Sequence, residues 1–325
     1  MTNALTLDSL APRKSRRVAM DYERALEGKV VVVTGAGRGI GREIALLAAA
    51  HGGSVLVNDL GGGADGEGAD SGPATDVVGE ILAAGGLAAA NMDSVSTSQG
   101  ADNIIAGAVK EFGRVDSVIN NAGILRDAIF HKMGERDFED VLGVHLLGTF
   151  HVSRAAAAHF RKQHRGTYVH FTSTSGLIGN LGQANYAAAK MGIVGLSKSI
   201  ALDMQRFGVR SNCIAPFAWS RLTGSIPASN EAERRRVERF KAMGPEKVAP
   251  LAVFLASDLS VGITGQVFVS RMNEIFLMSQ PRPVRGLHRS EGWTIRSLAE
   301  ELLPAMQADF YPLDRSADVF SWDPV

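Results

Sequence analysis

The chain has 325 residues, 45% of them hydrophobic, enough for one large α/β domain or two small ones with a substantial core. Lysine plus arginine balances aspartate plus glutamate at 34 each, so no overall field draws the protein to nucleic acid or an anionic membrane, and a small-molecule substrate is the simpler expectation. A single cysteine, Cys213, excludes an internal disulfide, and no apolar run approaches the ~20 residues of a membrane helix.

Residues 1–28 carry a basic cluster, Arg13, Lys14, Arg16 and Arg17, with no apolar stretch behind it, and read as a flexible leader rather than a secretory signal. From Lys29 to Thr34 a β-branched run predicts a strand buried on both faces of a parallel sheet. It enters GAGRGIG, Gly35 to Gly41, ahead of a helix predicted over 42–50. A glycine-rich turn between strand and helix lets backbone amides approach a pyrophosphate at the positive helix end. The next strand, SVLVNDL, ends in Asp59, where a carboxylate meets ribose hydroxyls and repels a ribose phosphate. Arg38 argues the other way, since an arginine in this turn can contact such a phosphate. Asp59 decides the reading for NAD over NADP, its alternative role being a turn cap.

Gly61 to Pro73, rich in glycine and acid, reads as a flexible loop inserted after the second strand. Helix 74–84, strand Leu87 to Asn91, helix 99–112 and strand VDSVINNAG follow. Asp93 and Val95 stand where an adenine edge can be met, or serve as turn residues. Asn120, Asn121, Ala122 and Gly123 close the fourth strand at its carboxyl end, the ligand edge of an open α/β sheet. This alternation predicts a Rossmann-type doubly wound parallel sheet. Residues 138–164 read as one long buried helix, and TYVHFTS delivers Ser173.

Tyr186 and Lys190 then follow at helical i, i+4 spacing, which sets an ammonium beside a phenol and favours the phenolate. Tyr186 is thereby a candidate general acid or base, with Ser173 able to hold a substrate oxygen at the same point. The helix is predicted to run to Phe207, and the strand VRSNCIAP leads through Cys213, read as a buried thiol in a reducing, cytoplasmic setting, to Pro216.

Thr34-Gly35-x-x-x-Gly39-x-Gly41, Asn120-Asn121-Ala122-Gly123, Ser173 and Tyr186-x-x-x-Lys190 resemble, in order and spacing, the short-chain dehydrogenase/reductase family over Lys29 to about Val269. Within it, NDLGG, NNAGILRD, VHLLGTF and GNLGQANYAAAK are similar to the (3R)-hydroxyacyl-CoA dehydrogenase unit of peroxisomal multifunctional enzyme type 2 and its bacterial 3-oxoacyl reductase and hydroxysteroid dehydrogenase relatives. The resemblance implies that Tyr186 exchanges the proton, Lys190 lowers its pKa and holds the nicotinamide ribose, and Ser173 positions the substrate oxygen. It places Gly35, Arg38, Gly39, Ile40, Gly41, Asp59, Asp93, Val95, Asn121, Ala122, Gly123, Pro216 and Thr223 around NAD, with no metal. It also implies a homodimer or homotetramer. Where the family usually has a relay asparagine this chain has His145, either the holder of a relay water or a satisfied core histidine.

Beyond Pro216 a flap is expected, with a charged helix about 230–243 whose Arg234, Arg235, Arg236 and Arg239 form a solvated face or meet the phosphates of a coenzyme A ester. A helix at VAPLAVFLAS and strand GQVFVS complete a catalytic domain, 29–280. An added strand from Glu274 falls at the end of that domain, and a helix capped by Thr294 and ended or bent at Pro304, with an aromatic close, forms an extension, 281–325, expected to pack on the body or a partner subunit. The chemistry expected is interconversion of a secondary alcohol and a ketone, on a 3-hydroxyacyl thioester. The alternatives are a steroid alcohol as substrate, or a non-catalytic dinucleotide sensor.

Overall fold

Eight short runs pair into one sheet; the central ones are too hydrophobic to leave either face in water, whereas Leu87 in one edge strand and Ile275 and Leu277 in the other are exposed. The structure, a computed structural model, describes residues 22–63, 65–218, 231 and 242–325. The elements run β1 (Val30–Thr34), α1 (Gly39–Ala50), β2 (Ser54–Asn58), α2 (Gly72–Ala83), β3 (Leu87–Asn91), α3 (Ser98–Phe112) and β4 (Ser117–Asn120). Then come α4 (Glu135–Leu142), α5 (Gly148–Gln163), β5 (Gly166–Phe171), α6 (Thr174–Leu177), α7 (Ala184–Met204), β6 (Val209–Phe217), α8 (Ala249–Ala256), β7 (Val267–Arg271) and β8 (Glu274–Leu277).

The strand order is β3-β2-β1-β4-β5-β6-β7-β8, parallel throughout except for β8, which pairs antiparallel with β7. The order reverses between β1 and β4, which opens a crevice at the carboxyl ends of the strands. Alternate residues of β1 face opposite layers: Val31 and Val33 pack with Ile44 of α1, Val77 of α2 and Leu255 of α8, while Val30 and Val32 pack with Ile104 of α3 and Val152 of α5. Each such burial contributes roughly 1.5–3 kcal/mol. The doubly wound α/β architecture read from the sequence is the one observed.

One long helix differs from expectation, and a later one takes the second of two courses expected of it, passing its proline instead of ending there. The helix foreseen over 138–164 begins at Glu135 and is interrupted by a π turn, Gly143–Leu147, between α4 and α5. Two glycines, Gly143 and Gly148, bracket the wider turn. Near the end of the chain Thr294 caps a helical segment through a reciprocal bond with Ser297, as foreseen, but the segment passes through Pro304 to Met306. A π turn at Leu298–Leu302 precedes the proline there, and Pro304 sits in the first turn of the next helical piece, where its missing N–H costs nothing.

Candidate active site

The glycine turn is shaped by what glycine lacks. A Cβ at Gly41 would lie 2.2 Å from the Gly35 carbonyl oxygen, and one at Gly35, whose φ is +63°, would lie 2.7 Å from Ala122 Cα. The backbone of β1 therefore meets α1 and the β4 end at a distance no side chain permits, and α1 starts on the turn itself, three residues earlier than the sequence suggested. Thr34 ties the two strands together: its Oγ1 accepts from the Asn121 and Ala122 amides at 3.1 and 3.2 Å, and Asn121 Nδ2 donates to the carbonyls of Thr34 and Gly35.

Asp59 stands at the end of β2. Its Oδ2 accepts from the Gly37 amide at 2.8 Å and its Oδ1 from the Gly61 amide at 2.7 Å. Each carboxylate oxygen keeps a free lone pair, so the group can still accept from a ribose diol. Both readings of Asp59, turn anchor and ribose acceptor, are thus compatible in one geometry. Arg38 leans over the same place, its guanidinium 3.4 Å from the Gly62 carbonyl. The Asp93 carboxylate is held by Asn91 Nδ2 at 2.7 Å and Asn103 Nδ2 at 2.9 Å, and Val95 is buried.

The cleft at the β1–β4 switch is lined by Gly35, Arg38, Gly39, Ile40, Asp59, Asp93, Val95, Asn121, Ala122, Gly123, His145, Tyr186, Lys190 and Pro216. Gly41 lies behind this wall, and Thr223 and the charged flap helix lie outside the described residues. Sequence reasoning missed Leu60, Gly62, Gly63, Gly66, Ser94, Ile124, Val144 and Thr172, which also line it. The signal for Leu60 and Ile124 was adjacency to Asp59 and to the Asn-Asn-Ala-Gly stretch. The glycine-rich loop gave none, yet it folds back across the crevice, with Arg126 Nη2 2.9 Å from Glu67 Oε1.

At the far end of the cleft β5 delivers Ser173, whose Oγ accepts from the Ser175 amide at 3.1 Å and so caps α6. Asn185 Nδ2 donates to the carbonyls of Arg126 and Asp137, which fixes the start of α7 and with it Tyr186. Thr172 Oγ1 donates to the Lys190 carbonyl at 2.6 Å, locking α7 to β5. Lys190 is buried; its Nζ donates to the Phe171 carbonyl at 2.6 Å and lies 5.4 Å from the centre of the Tyr186 ring. Burial pushes the Lys190 amine down to about 7, and pushes the half-buried Tyr186 phenol up to about 12 against the pull of a hydrogen bond with Ser173. Burial thus works against the phenolate that a neighbouring ammonium is expected to favour.

His145, in the π turn, is 3% exposed and meets Tyr186 edge-on with ring centres 5.2 Å apart. Its Nε2 lies 2.8 Å from the Ile124 carbonyl oxygen. The Ile124 amide also faces Nε2, at 3.1 Å, so the tautomer sets whether the buried Nδ1, without a partner among the described residues, is a donor or an acceptor. Burial holds the imidazole well below its usual pKa, so it is neutral. Gly123 is what admits the ring, since a Cβ there would lie 2.3 Å from His145 Cε1.

A glycine cradle at a sheet switch point, a carboxylate at the next strand end and a serine–tyrosine pair over a buried lysine define a dinucleotide-dependent oxidoreductase site. The family model for short chain dehydrogenase matches residues 29–223, and the chain belongs to this short-chain dehydrogenase/reductase family, oxidoreductases acting on CH–OH groups. It is 48% identical over 252 residues, 76% of this chain and 85% of the other, to a protein of Mycobacterium tuberculosis named as a short-chain type dehydrogenase/reductase. It is 44% identical to mouse peroxisomal multifunctional enzyme type 2 over 71% of this chain, but spans only 30% of the length of that protein. The hydroxyacyl-CoA dehydrogenase ChsB1 of M. tuberculosis is 38% identical, with 80% of this chain and 82% of that one covered. Among solved structures, a 7α-hydroxysteroid dehydrogenase complexed with NADH and 7-oxo glycochenodeoxycholic acid superposes with a TM-score of 0.69 at 29% identity, covering 77% of this chain and 96% of that one. The family uses a nicotinamide dinucleotide and small-molecule substrates, and no helix among the described residues is long and apolar enough to cross a membrane.

Proposed function

We propose that the protein interconverts a 3-hydroxyacyl thioester and its 3-oxoacyl counterpart, with NAD(H) in preference to NADP(H). The observation that carries it is Tyr186 beside the buried Lys190 in the wall of one cleft with Asp59, with Ser173 next in sequence to the cleft-lining Thr172. The turn Gly35–Gly41, Asp59, Asp93, Asn121 and Lys190 would hold the dinucleotide, which supplies hydride chemistry when bound.

In this reading Ser173 donates to the substrate oxygen and fixes its distance from Tyr186. The Tyr186 phenol, held protonated by its surroundings, is the acid that gives H⁺ to the oxygen in reduction and must be unprotonated to accept it in oxidation. Oxidation is accordingly expected to accelerate as pH rises through neutrality while reduction is not. Lys190 anchors the floor through the Phe171 carbonyl, and its charge favours the phenolate whenever the amine is protonated. The buried, unpartnered Nδ1 of His145 supports a role in holding a relay water, as donor or acceptor, beside Lys190.

The names borne by the relatives, a hydroxyacyl-CoA dehydrogenase among them, support the acyl thioester. The carboxylate at Asp59, followed by apolar Leu60, supports NAD, since neither offers a cation to a ribose phosphate. The reading takes the protein as a homodimer or homotetramer of a reducing, cytoplasmic compartment, supported by one buried cysteine. The test is NADH formation from 3-hydroxyacyl-CoA esters of graded chain length beside a steroid alcohol. Turnover of the esters at the higher kcat/KM is expected. Turnover of the steroid alone would overturn the acyl reading, and the neighbour with a bound bile acid is the reason to include that arm.

A further inference from the structure

After β8 the chain runs mostly exposed over 281–313 and then returns to the body at Ser316. The Ser316 amide donates to the Gly179 carbonyl at 2.9 Å, and Ser316 Oγ donates to the same oxygen at 3.1 Å. Phe320 is 9% exposed and shares a buried cluster with Leu177 and Ile178, its ring centre 5.1 Å from that of Phe217 and 5.4 Å from that of Phe276. Arg271, itself buried, fixes the segment further by donating to the Trp322 carbonyl while paired with Glu274.

Three of the partners of Ser316 and Phe320 belong to one short piece of chain. Leu177 ends α6, the four-residue helix that Ser173 caps, and Ile178 and Gly179 begin the loop that returns to Tyr186. A single helical turn fixes too many dihedrals for too few hydrogen bonds to persist by itself, so its position is set by what packs on it. From inside the loop, Ser175 Oγ and Asn180 Nδ2 hold Gln183. From outside, the returning segment supplies the apolar floor and a doubly bonded carbonyl.

We propose that Ser316 and Phe320 are positioning residues for the alcohol or ketone substrate. Through Gly179, Leu177 and Ile178 they hold α6 and its loop, and hence the Ser173 hydroxyl, at the distance from Tyr186 that binding a substrate oxygen requires. This rests on the reading of Ser173 and Tyr186 as the substrate-oxygen site. Neither residue reaches the glycine turn through these contacts, so substrate binding depends on them and dinucleotide binding does not.

Ser316→Pro isolates the claim. Position 316 is the first residue of the helical turn Ser316–Val319, where proline fits, and Arg315 before it is already extended (φ −96°, ψ 162°), as a residue preceding proline prefers. The change removes both bonds to Gly179 and leaves the turn. The full chain is assayed with whichever alcohol the unaltered protein oxidises, NADH affinity is read by fluorescence titration, and amide exchange is followed over 174–182. For Ser316→Pro a rise of about tenfold in KM for the alcohol is expected, with NADH affinity within twofold and faster exchange in that segment. Ser316→Ala, which keeps the amide donor, should fall between it and the unaltered protein, and Phe320→Ala should resemble Ser316→Pro with Phe320→Leu restoring most of the loss. Unchanged KM and exchange in Ser316→Pro, or an equal loss of NADH and alcohol affinity, overturns the proposal. Should Phe320→Ala not fold, Ser316→Pro decides alone. Failure of thioesters as substrates removes the acyl reading only, because the exchange measurement needs no substrate.

Discussion

On the nucleotide side of the crevice the chain works with its backbone, and on the substrate side with side chains. Gly35 and Gly41 shape the cradle by having nothing beyond Cα, and Asp59 is tied to the amides of Gly37 and Gly61, all between Gly35 and Gly61, with Asn121 and Ala122 closing the cradle from outside. Ser173, Tyr186 and Lys190 come instead from β5 and α7, and are held by partners as far off as Arg126, Asp137 and, through α6, Ser316. A cradle of main chain is specified locally and tolerates no added atom. A constellation of side chains is assembled from distant segments and can lose position without losing the fold.

Four experiments break or sharpen that contrast. Tyr186→Phe should lower kcat by roughly 10²–10⁴, the usual worth of a general acid–base, with NADH affinity nearly unchanged; steady-state kinetics with a fluorescence titration separates the two, and equal losses would erase the division between the sides. Gly41→Ala should do the converse. Its new methyl meets the Gly35 carbonyl, so about 1–3 kcal/mol of stability should go along with dinucleotide binding, read by thermal melting with and without NAD.

The third concerns the core beneath both sides. His170 is fully buried between Asn120 and Ser211, and burial pushes its pKa down to about 3. A folded pKa below the unfolded value means the unfolded chain binds the extra proton, so this contribution is complete above pH 6.5 and is lost as pH falls toward 3. Urea melts should show about 2 kcal/mol less stability at pH 5 than at pH 7 from this residue, and His170→Gln should shrink that difference. Smallest is Asp59→Ala, expected to lower the ratio of kcat/KM with NAD to that with NADP about tenfold, or about 1.4 kcal/mol. An unchanged ratio would hand cofactor choice to Arg38 and Leu60.

The same contrast explains what could be read from the sequence. The sheet, the glycine turn, Asp59 and the Ser173–Tyr186–Lys190 set were legible because each rests on spacing within one or two elements. Asp59 stands at the end of the second strand, and the turn role offered for it takes its particular partner, the Gly37 amide, only in the folded turn. The loop over 61–73 looked like mere insertion, because the contact that turns it over the crevice is made with Arg126, far along the chain. Burial opposes the expected shift of Tyr186, and the i, i+4 spacing says nothing of the solvent removed around it. The docking of Ser316 on Gly179 has no local pattern at all.

The wide turn at Gly143–Leu147 has a consequence for how the histidine is held in place. Regular winding advances ~100° per residue, and the π turn accommodates one residue more than an α-helix would over the same rise. Shortening this stretch by one residue would let it rewind as a plain α-helix with α4 and α5 still in phase, so the change would fall on the turn itself and on His145 within it. The imidazole is therefore aimed at Tyr186 by the one residue that the turn holds in excess of a regular helix.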